Sequence, residues 1–171
     1  MKLLKEVLHN DAIEINGRTV SREAVRGIIM DGRKLLMVHS EKNGDYKFPG
    51  GGIEQGESHE TALKREVAEE IGKQIVGIII PFGKVIEYDL PLEKDFDVFK
   101  MTSYYYWCQA GNDEGKQNLD QYEQELGFLP VWIDIDTAID NNASLLEDPH
   151  KHLPRWVKRE LQVLEQIRLA L

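Results

Sequence analysis

The stretch that most constrains this 171-residue chain runs from Gly50 to Gly72. Three successive glycines, Gly50-Gly51-Gly52, lead through Gly56-Glu57 into a segment with helical spacing. Ser58 suits an N-cap, Glu60 puts an acid in the first turn where the helix dipole favours it, and Gly72 is a natural stop. Ala62, Leu63, Val67 and Ile71 recur at helical spacing and form one apolar face. Glu66, Glu69 and Glu70 stand at i, i+3 and i+4, so a helix brings their carboxylates together on one face. Carboxylates held that close repel one another. A divalent cation among them removes the conflict, and hard ions such as Mg²⁺ and Mn²⁺ prefer oxygen ligands. A solvated acidic face is the plainer explanation of three glutamates alone. The fixed arrangement of glycines, Glu57 and Arg65 around them argues against it.

The bulk properties narrow the partners. A net charge of −9 leaves no surplus of Lys and Arg for broad binding of nucleic acid or an anionic membrane. An acidic chain still handles a phosphate substrate if metal ions supply local positive charge. Cys108 is the single cysteine, which excludes an intramolecular disulfide. Met1–Val7 has charges within its apolar run and no cleavage region of a signal peptide, and no run approaches the roughly 18–20 apolar residues of a membrane span. The expectation is a cytoplasmic domain covering 1–171, monomeric or a small oligomer.

Along the chain, residues 1–23 read as a strand-rich lead-in, with Asn16-Gly17 as a hairpin turn between Ile13-Glu14-Ile15 and Arg18-Thr19-Val20. Ala24–Met30 and Lys34–Val38 are apolar runs around Asp31-Gly32, a second predicted hairpin. Ile75–Ile80 is a strand closed by Pro81, and Gly83–Leu90 with Asp97–Ala110 forms a long hairpin. Its second arm contains Tyr104-Tyr105-Tyr106-Trp107, of which at most half can face one pocket. Gly111–Glu125 reads as a long loop and Phe128–Ile135 as a final strand. Asp136 or Thr137 is the expected cap of a short helix through Ala143. The apolar stripe Leu153, Trp156, Val157, Leu161, Leu164, Ile167, Leu171 predicts a C-terminal packing helix over 153–171.

The spacing of the central stretch is specific. Gly51, five residues, Glu57, seven residues, then Arg65-Glu66-Val67-Ala68-Glu69-Glu70-Ile71-Gly72 resembles the Nudix box. Every fixed identity of that box is present and Val67 fills its first aliphatic position. Lys73 stands where the last aliphatic is usual, a departure that bears on packing more than on chemistry. Phe48-Pro49-Gly50 also looks like the family's approach to the box. The resemblance implies an α/β fold of the Nudix type, an α/β/α sandwich with a mixed β-sheet. It also implies hydrolysis of a nucleoside diphosphate linked to another moiety, with Mg²⁺ or Mn²⁺ as cofactor.

Carried over residue by residue, Glu66 and Glu70 are the chief metal ligands, and Glu69 is a further ligand or acts through bound water. A carbonyl of Gly50 or Gly51 adds an oxygen. Arg65 pairs with Glu57 and holds the helix to the loop, so Glu57, Arg65, Glu66 and Glu69 form the catalytic set. Many members draw another acid from a later loop; Glu123 and Glu125 are the best candidates and Glu114 a weaker one. Tyr46 stands where the family often has an aromatic near the substrate base. Lys47 and Arg26 can meet phosphate, although a charge on the solvent side of a strand is the commoner explanation. Cys108 reads as a buried inert thiol.

The reaction expected is metal-assisted phosphoanhydride hydrolysis, with water attacking phosphorus and a nearby carboxylate taking its proton. Nucleotide sugars such as ADP-ribose come first among substrates, nucleoside triphosphates next, and capped RNA last because no basic groove is evident. A non-catalytic sensor of the same fold is the competing class; such binders typically lose a box acid, and this chain has lost none. Many nucleotide-sugar hydrolases of the family are dimers, so a homodimer is an allowed assembly. The partners expected are small nucleotides, not nucleic acid or membrane.

Overall fold

The structure is a computed structural model and describes residues 1–112 and 115–171. The chain begins in β1 (Leu3–Leu8) and continues through β2 (Thr19–Ile28), β3 (Met30–Asp31), β4 (Lys34–Ser40) and β5 (Tyr46–Lys47) to α1 (His59–Ile71). The long strands β6 (Ile75–Asp89) and β7 (Val98–Ala110) follow, then α2 (Gln121–Leu126), β8 (Phe128–Asp134), α3 (Ile135–Glu147) and α4 (Trp156–Ala170).

One sheet has the order β1-β6-β7-β2 and is mixed, since β1–β6 and β2–β7 are parallel while β6–β7 is antiparallel. In the other, β4 lies between antiparallel neighbours β8, β3 and β5. A hydrogen bond from Leu36 N to Ile29 O (2.9 Å) joins the two sheets, and Gly27 N donates to Pro49 O (2.8 Å) at the entry to the glycine turn.

The apolar patterning explains the layers. Leu63, Val67 and Ile71 of α1 pack in one core with Val25, Val38 and Phe128. Ile135, Ile139, Val163, Leu164 and Ile167 of α3 and α4 pack in a second core with Ile28, Leu35, Phe48 and Tyr105. Each fully buried Leu or Ile contributes about 1.5–3 kcal/mol. This is the α/β/α sandwich with a mixed sheet expected from the sequence. Lys73 is half-buried, and Ile75, two residues on, is the aliphatic that joins the core with Ile71.

Five expectations need correction. The lead-in forms no hairpin at Asn16-Gly17: residues 9–18 are not a strand, and β1 pairs in parallel with Lys84–Tyr88 instead. The hairpin at Asp31-Gly32 exists, but its first arm is only β3, because β2 is recruited to β7 over its whole length. Pro81 does not close a strand; β6 passes through it with register shifts at Val76/Ile80 and Pro81/Gly83, since a bulge tolerates a missing donor. Gln121–Leu126 is a helix within the predicted loop, nucleated by the Asp120/Glu123 capping box. The cap of α3 is Asp134, not Asp136 or Thr137, and α3 runs on to Glu147.

Candidate active site

The helix α1 starts as its sequence dictates, with Ser58 Oγ accepting from Thr61 N at 3.1 Å. Its charged residues are then placed by one guanidinium. Arg65 Nε donates to Glu57 Oε1 (3.0 Å) and an Arg65 terminal nitrogen to Glu57 Oε2 (2.9 Å), a bidentate pair. The same nitrogen donates to the Gly52 carbonyl (3.1 Å), and the other terminal nitrogen reaches Glu66 (2.7 Å) and Glu69 (3.2 Å). Arg65 thus ties the glycine turn to the acidic face. The bond from Arg65 holds the Glu57 carboxyl below its ordinary range, and the acids raise Arg65 further.

Glu70 sits one turn further on and only 1% of it is exposed. One carboxylate oxygen accepts from Gly50 N at 2.8 Å, and the other pairs with Lys47. Lys47 in turn lies over the Phe128 ring, 4.6 Å from its centre. Gly50 has φ of 136°, and a Cβ there would fall on the Val25 carbonyl oxygen. A Cβ on Gly51 would fall on the Glu66 carboxylate. Glycine at these two positions therefore lets backbone and acid approach each other.

Burial pushes the Glu66 carboxyl up, the charge of Glu70 adds to this, and Arg65 opposes it. Glu123 of α2 lines the same cavity as Glu70, Gly50 and Gly51, a space of about 130 Å³. Burial, reinforced by Glu70, pushes its carboxyl up to about 7 while the Asp120 amide pulls the other way. The arrangement is an acid-rich pocket whose lysine is already paired.

The remaining candidates fall outside this pocket or were misjudged. Tyr46 lies on the opposite face of β5 from Lys47; its ring meets His39 at 4.8 Å and packs on the α3–α4 core, and Asn142 holds its backbone at 3.0 and 2.8 Å. Glu125 is exposed and accepts from Gln121 at 3.0 Å. Glu114 lies outside the described residues. Lys47 and Arg26 are both buried, so the solvent-side explanation does not hold for either. Of the four adjacent aromatics, Tyr106 bonds His59 (2.6 Å) and Tyr104 stacks near it, whereas Tyr105 is core. Cys108 is buried, which pushes its thiol up to about 12.

Sequence reasoning missed Trp156, whose indole N–H donates to buried Asp45 (2.7 Å), and Arg159. Both line the pocket of Glu70 and Glu123 from α4. The helical stripe marked Trp156 only as packing. Arg26 did carry a signal, a lone charge within the apolar run Ala24–Met30.

The donors fit a hard divalent cation in kind: half-buried Glu66 and buried Glu70 present carboxylate oxygens one helical turn apart, against a turn without side chains. The Gly51 carbonyl accepts from Val25 N at 3.0 Å and that of Gly52 from Arg65, whereas the Gly50 carbonyl accepts no hydrogen bond among the described residues. Among those residues no three acid, imidazole or thiol groups converge in ion-holding geometry, and Lys47 and Arg65 are the present counter-charges of Glu70 and Glu66. No helix of the described residues is long and apolar enough to cross a membrane.

The profile of the family described as NUDIX domain matches residues 20–157. An RNA pyrophosphohydrolase of Nitratiruptor sp. is 34% identical over 101 residues, which are 56% of this chain and 65% of the relative. Another, from Campylobacter jejuni subsp. doylei, is 44% identical over 57 residues, 33% of this chain and 36% of the relative. The matches thus span less than two thirds of those relatives. Among solved structures, a NUDIX hydrolase from Nitrosomonas europaea superposes with a TM-score of 0.60 at 20% identity over 88% of this chain and 90% of that one. A MutT structure from work on Aliivibrio salmonicida and Vibrio cholerae gives 0.55 at 21% identity over 89% and 100%. At such identities the likeness is one of fold.

Proposed function

The chain belongs to the NUDIX family, and from that premise we propose that it is a pyrophosphohydrolase that needs Mg²⁺ or Mn²⁺ and cleaves a phosphoanhydride bond of a nucleotide. The observation that carries this reading is the pair Glu66 and Glu70 against the glycine turn, with Glu123 lining the same cavity as Glu70. Glu66 and Glu70 would hold the cation, with Glu69 beside them and the Gly50 carbonyl as a further oxygen. When bound, the cation neutralises phosphoryl oxygens and acidifies the attacking water.

The chain's own residues supply the rest. Arg65 positions the acids by fixing α1 to the turn through Glu57. Lys47 orients Glu70. Glu123, with its carboxyl pushed up to about 7, can accept and release a proton near neutral pH.

The substrate favoured is a small nucleotide with a diphosphate bridge, a nucleotide sugar such as ADP-ribose, before a nucleoside triphosphate. The net charge of −9 supports a small ligand over a polyanion. The names of the two relatives favour a second reading, hydrolysis at RNA 5′ ends. The deciding experiment is phosphate release, coupled to a phosphatase for nucleotide sugars, in Mg²⁺ and in Mn²⁺. Its substrates are a nucleotide sugar, an oxidised nucleoside triphosphate, a dinucleoside polyphosphate, and RNA with a capped or triphosphate end. Preference for the nucleotide sugar is expected. Preference for RNA installs the second reading, and no release from any of them refutes the enzyme.

A further inference from the structure

Arg26 stands where two cavities meet. It lines the acid pocket with Glu70 and Glu123, and it lines a neighbouring cavity of about 230 Å³ walled by Phe99, Met101 and Trp156. Its side chain is only 8% exposed, yet its Nε has no hydrogen-bond partner. Among the described residues it makes no ion pair either, although its charge reaches Glu66 and Tyr105. The other cations at this junction are engaged: Lys47 with Glu70, Arg159 with Glu87 and Glu160, Arg155 with Asp89 at 2.7 Å. A buried guanidinium with an unmet donor is costly unless an anion completes it.

The neighbouring cavity exposes mostly apolar surface, although His9, Glu87, Asp89, Arg155 and Arg159 also line it. Phe99 and Met101 alternate with Tyr105 on the α4 side of β7, in register with Asp89 and Glu87 of β6. The Arg155 guanidinium lies over the Phe99 ring at 5.7 Å. Trp156 is fixed by Asp45, so its ring forms a rigid wall shared by both cavities. Two aromatic rings and a methionine on the wall of one cavity suit a planar heteroaromatic ring.

We infer that Arg26 binds a phosphate of the substrate, and that the cavity walled by Phe99, Met101 and Trp156 takes the planar base of the same nucleotide. This rests on the proposed pyrophosphohydrolase reading and adds which residues recognise the substrate. The bridge between base and scissile bond then runs across Arg26, from the apolar cavity to Glu66 and Glu70. Tyr46, on the other face of β5, has no part in it.

The test is calorimetric titration of the full chain, without divalent metal, with ADP, GDP, UDP and inorganic pyrophosphate. The wild type is expected to bind its best nucleoside diphosphate at least about tenfold more tightly than pyrophosphate, as a base stacked on aromatics requires. Arg26→Met should weaken both ligands by about tenfold or more and unfold no earlier than the wild type, since an unpaired buried charge has been removed. Phe99→Ala, at a half-buried position, should lose the advantage of the nucleotide over pyrophosphate and keep pyrophosphate itself.

Nucleotide binding by Arg26→Met within about twofold of the wild type overturns the inference. So does early unfolding of that variant, which would make Arg26 structural. An undiminished nucleotide advantage in Phe99→Ala overturns it as well, as does a wild type that binds none of these ligands. Failure of the hydrolase reading shows separately, as absent phosphate release in the metal-loaded screen, and leaves these metal-free affinities unchanged.

Discussion

Two groups of charges border the cavity lined by both Glu70 and Arg159, and they are built differently. On the α4 side Arg159 donates to Glu87 (2.8 Å) and to Glu160 (2.6 Å), His9 bonds Glu87 at 2.9 Å, and Tyr105 closes the group on Glu160 at 3.3 Å. Each acid there has a hydrogen-bonded partner, and Arg159 with His9 holds the Glu87 carboxyl down to about 2 against its burial. On the α1 side Glu66 and Glu123 are pushed up, and each feels the charge of Glu70. A closed network holds a fold together. An open one, with acids in excess, is held by the fold for a ligand.

Breaking the open group should abolish turnover and spare the fold. Glu66→Gln is expected to lower kcat by about 10²-fold or more while the unfolding temperature stays within a few degrees of the wild type, since Arg65 keeps Glu57 and Glu69. Steady-state kinetics beside a thermal melt checks both halves. Breaking the closed group should do the reverse. Arg159→Met leaves Glu87 and Glu160 buried without their cation and should cost about 3–5 kcal/mol, read from the denaturant midpoint.

Acid sharpens the same contrast. The Glu87 carboxyl is lower in the folded chain than its ordinary 4.5, so its contribution is fully present above that value and is lost as pH falls toward 2. The loss amounts to about 3 kcal/mol. A series of melts from pH 6 to about pH 3 should show this decline in the wild type and a shallower one in Glu87→Gln. The smallest effect expected is at the cap. Ser58→Ala removes the bond to Thr61 N and should cost about 1 kcal/mol, measured by chemical denaturation.

The open group was far more legible in the sequence than the closed one. Apart from Glu123 on α2, its acids lie within one turn and one helix, so the spacing of Gly51, Glu57, Arg65, Glu66 and Glu70 already encodes their meeting. Ser58 and Gly72 cap α1 as expected because capping is local chemistry. His9, Glu87 and Arg159 meet only through the pairing of β1 with β6 and the packing of α4, which no local pattern records. The same limit hid Phe99 and Trp156, which come from distant elements, whereas Arg26 is already a candidate for meeting phosphate in the sequence. It also explains β2, whose pairing with β7 cut the first arm of the Asp31-Gly32 hairpin down to β3. Asp120–Glu123 shows the opposite lesson: a capping box stood inside a polar stretch and was sufficient to nucleate α2.

The central claim is that Glu66 and Glu70 form a cation platform. Titrating the chain with Mn²⁺ and following the paramagnetic resonance of the free ion tests it most directly. The wild type should remove free Mn²⁺ from solution, and Glu66→Gln/Glu70→Gln, folded by circular dichroism, should leave it there. Equal Mn²⁺ uptake by the wild type and the double variant would contradict the account.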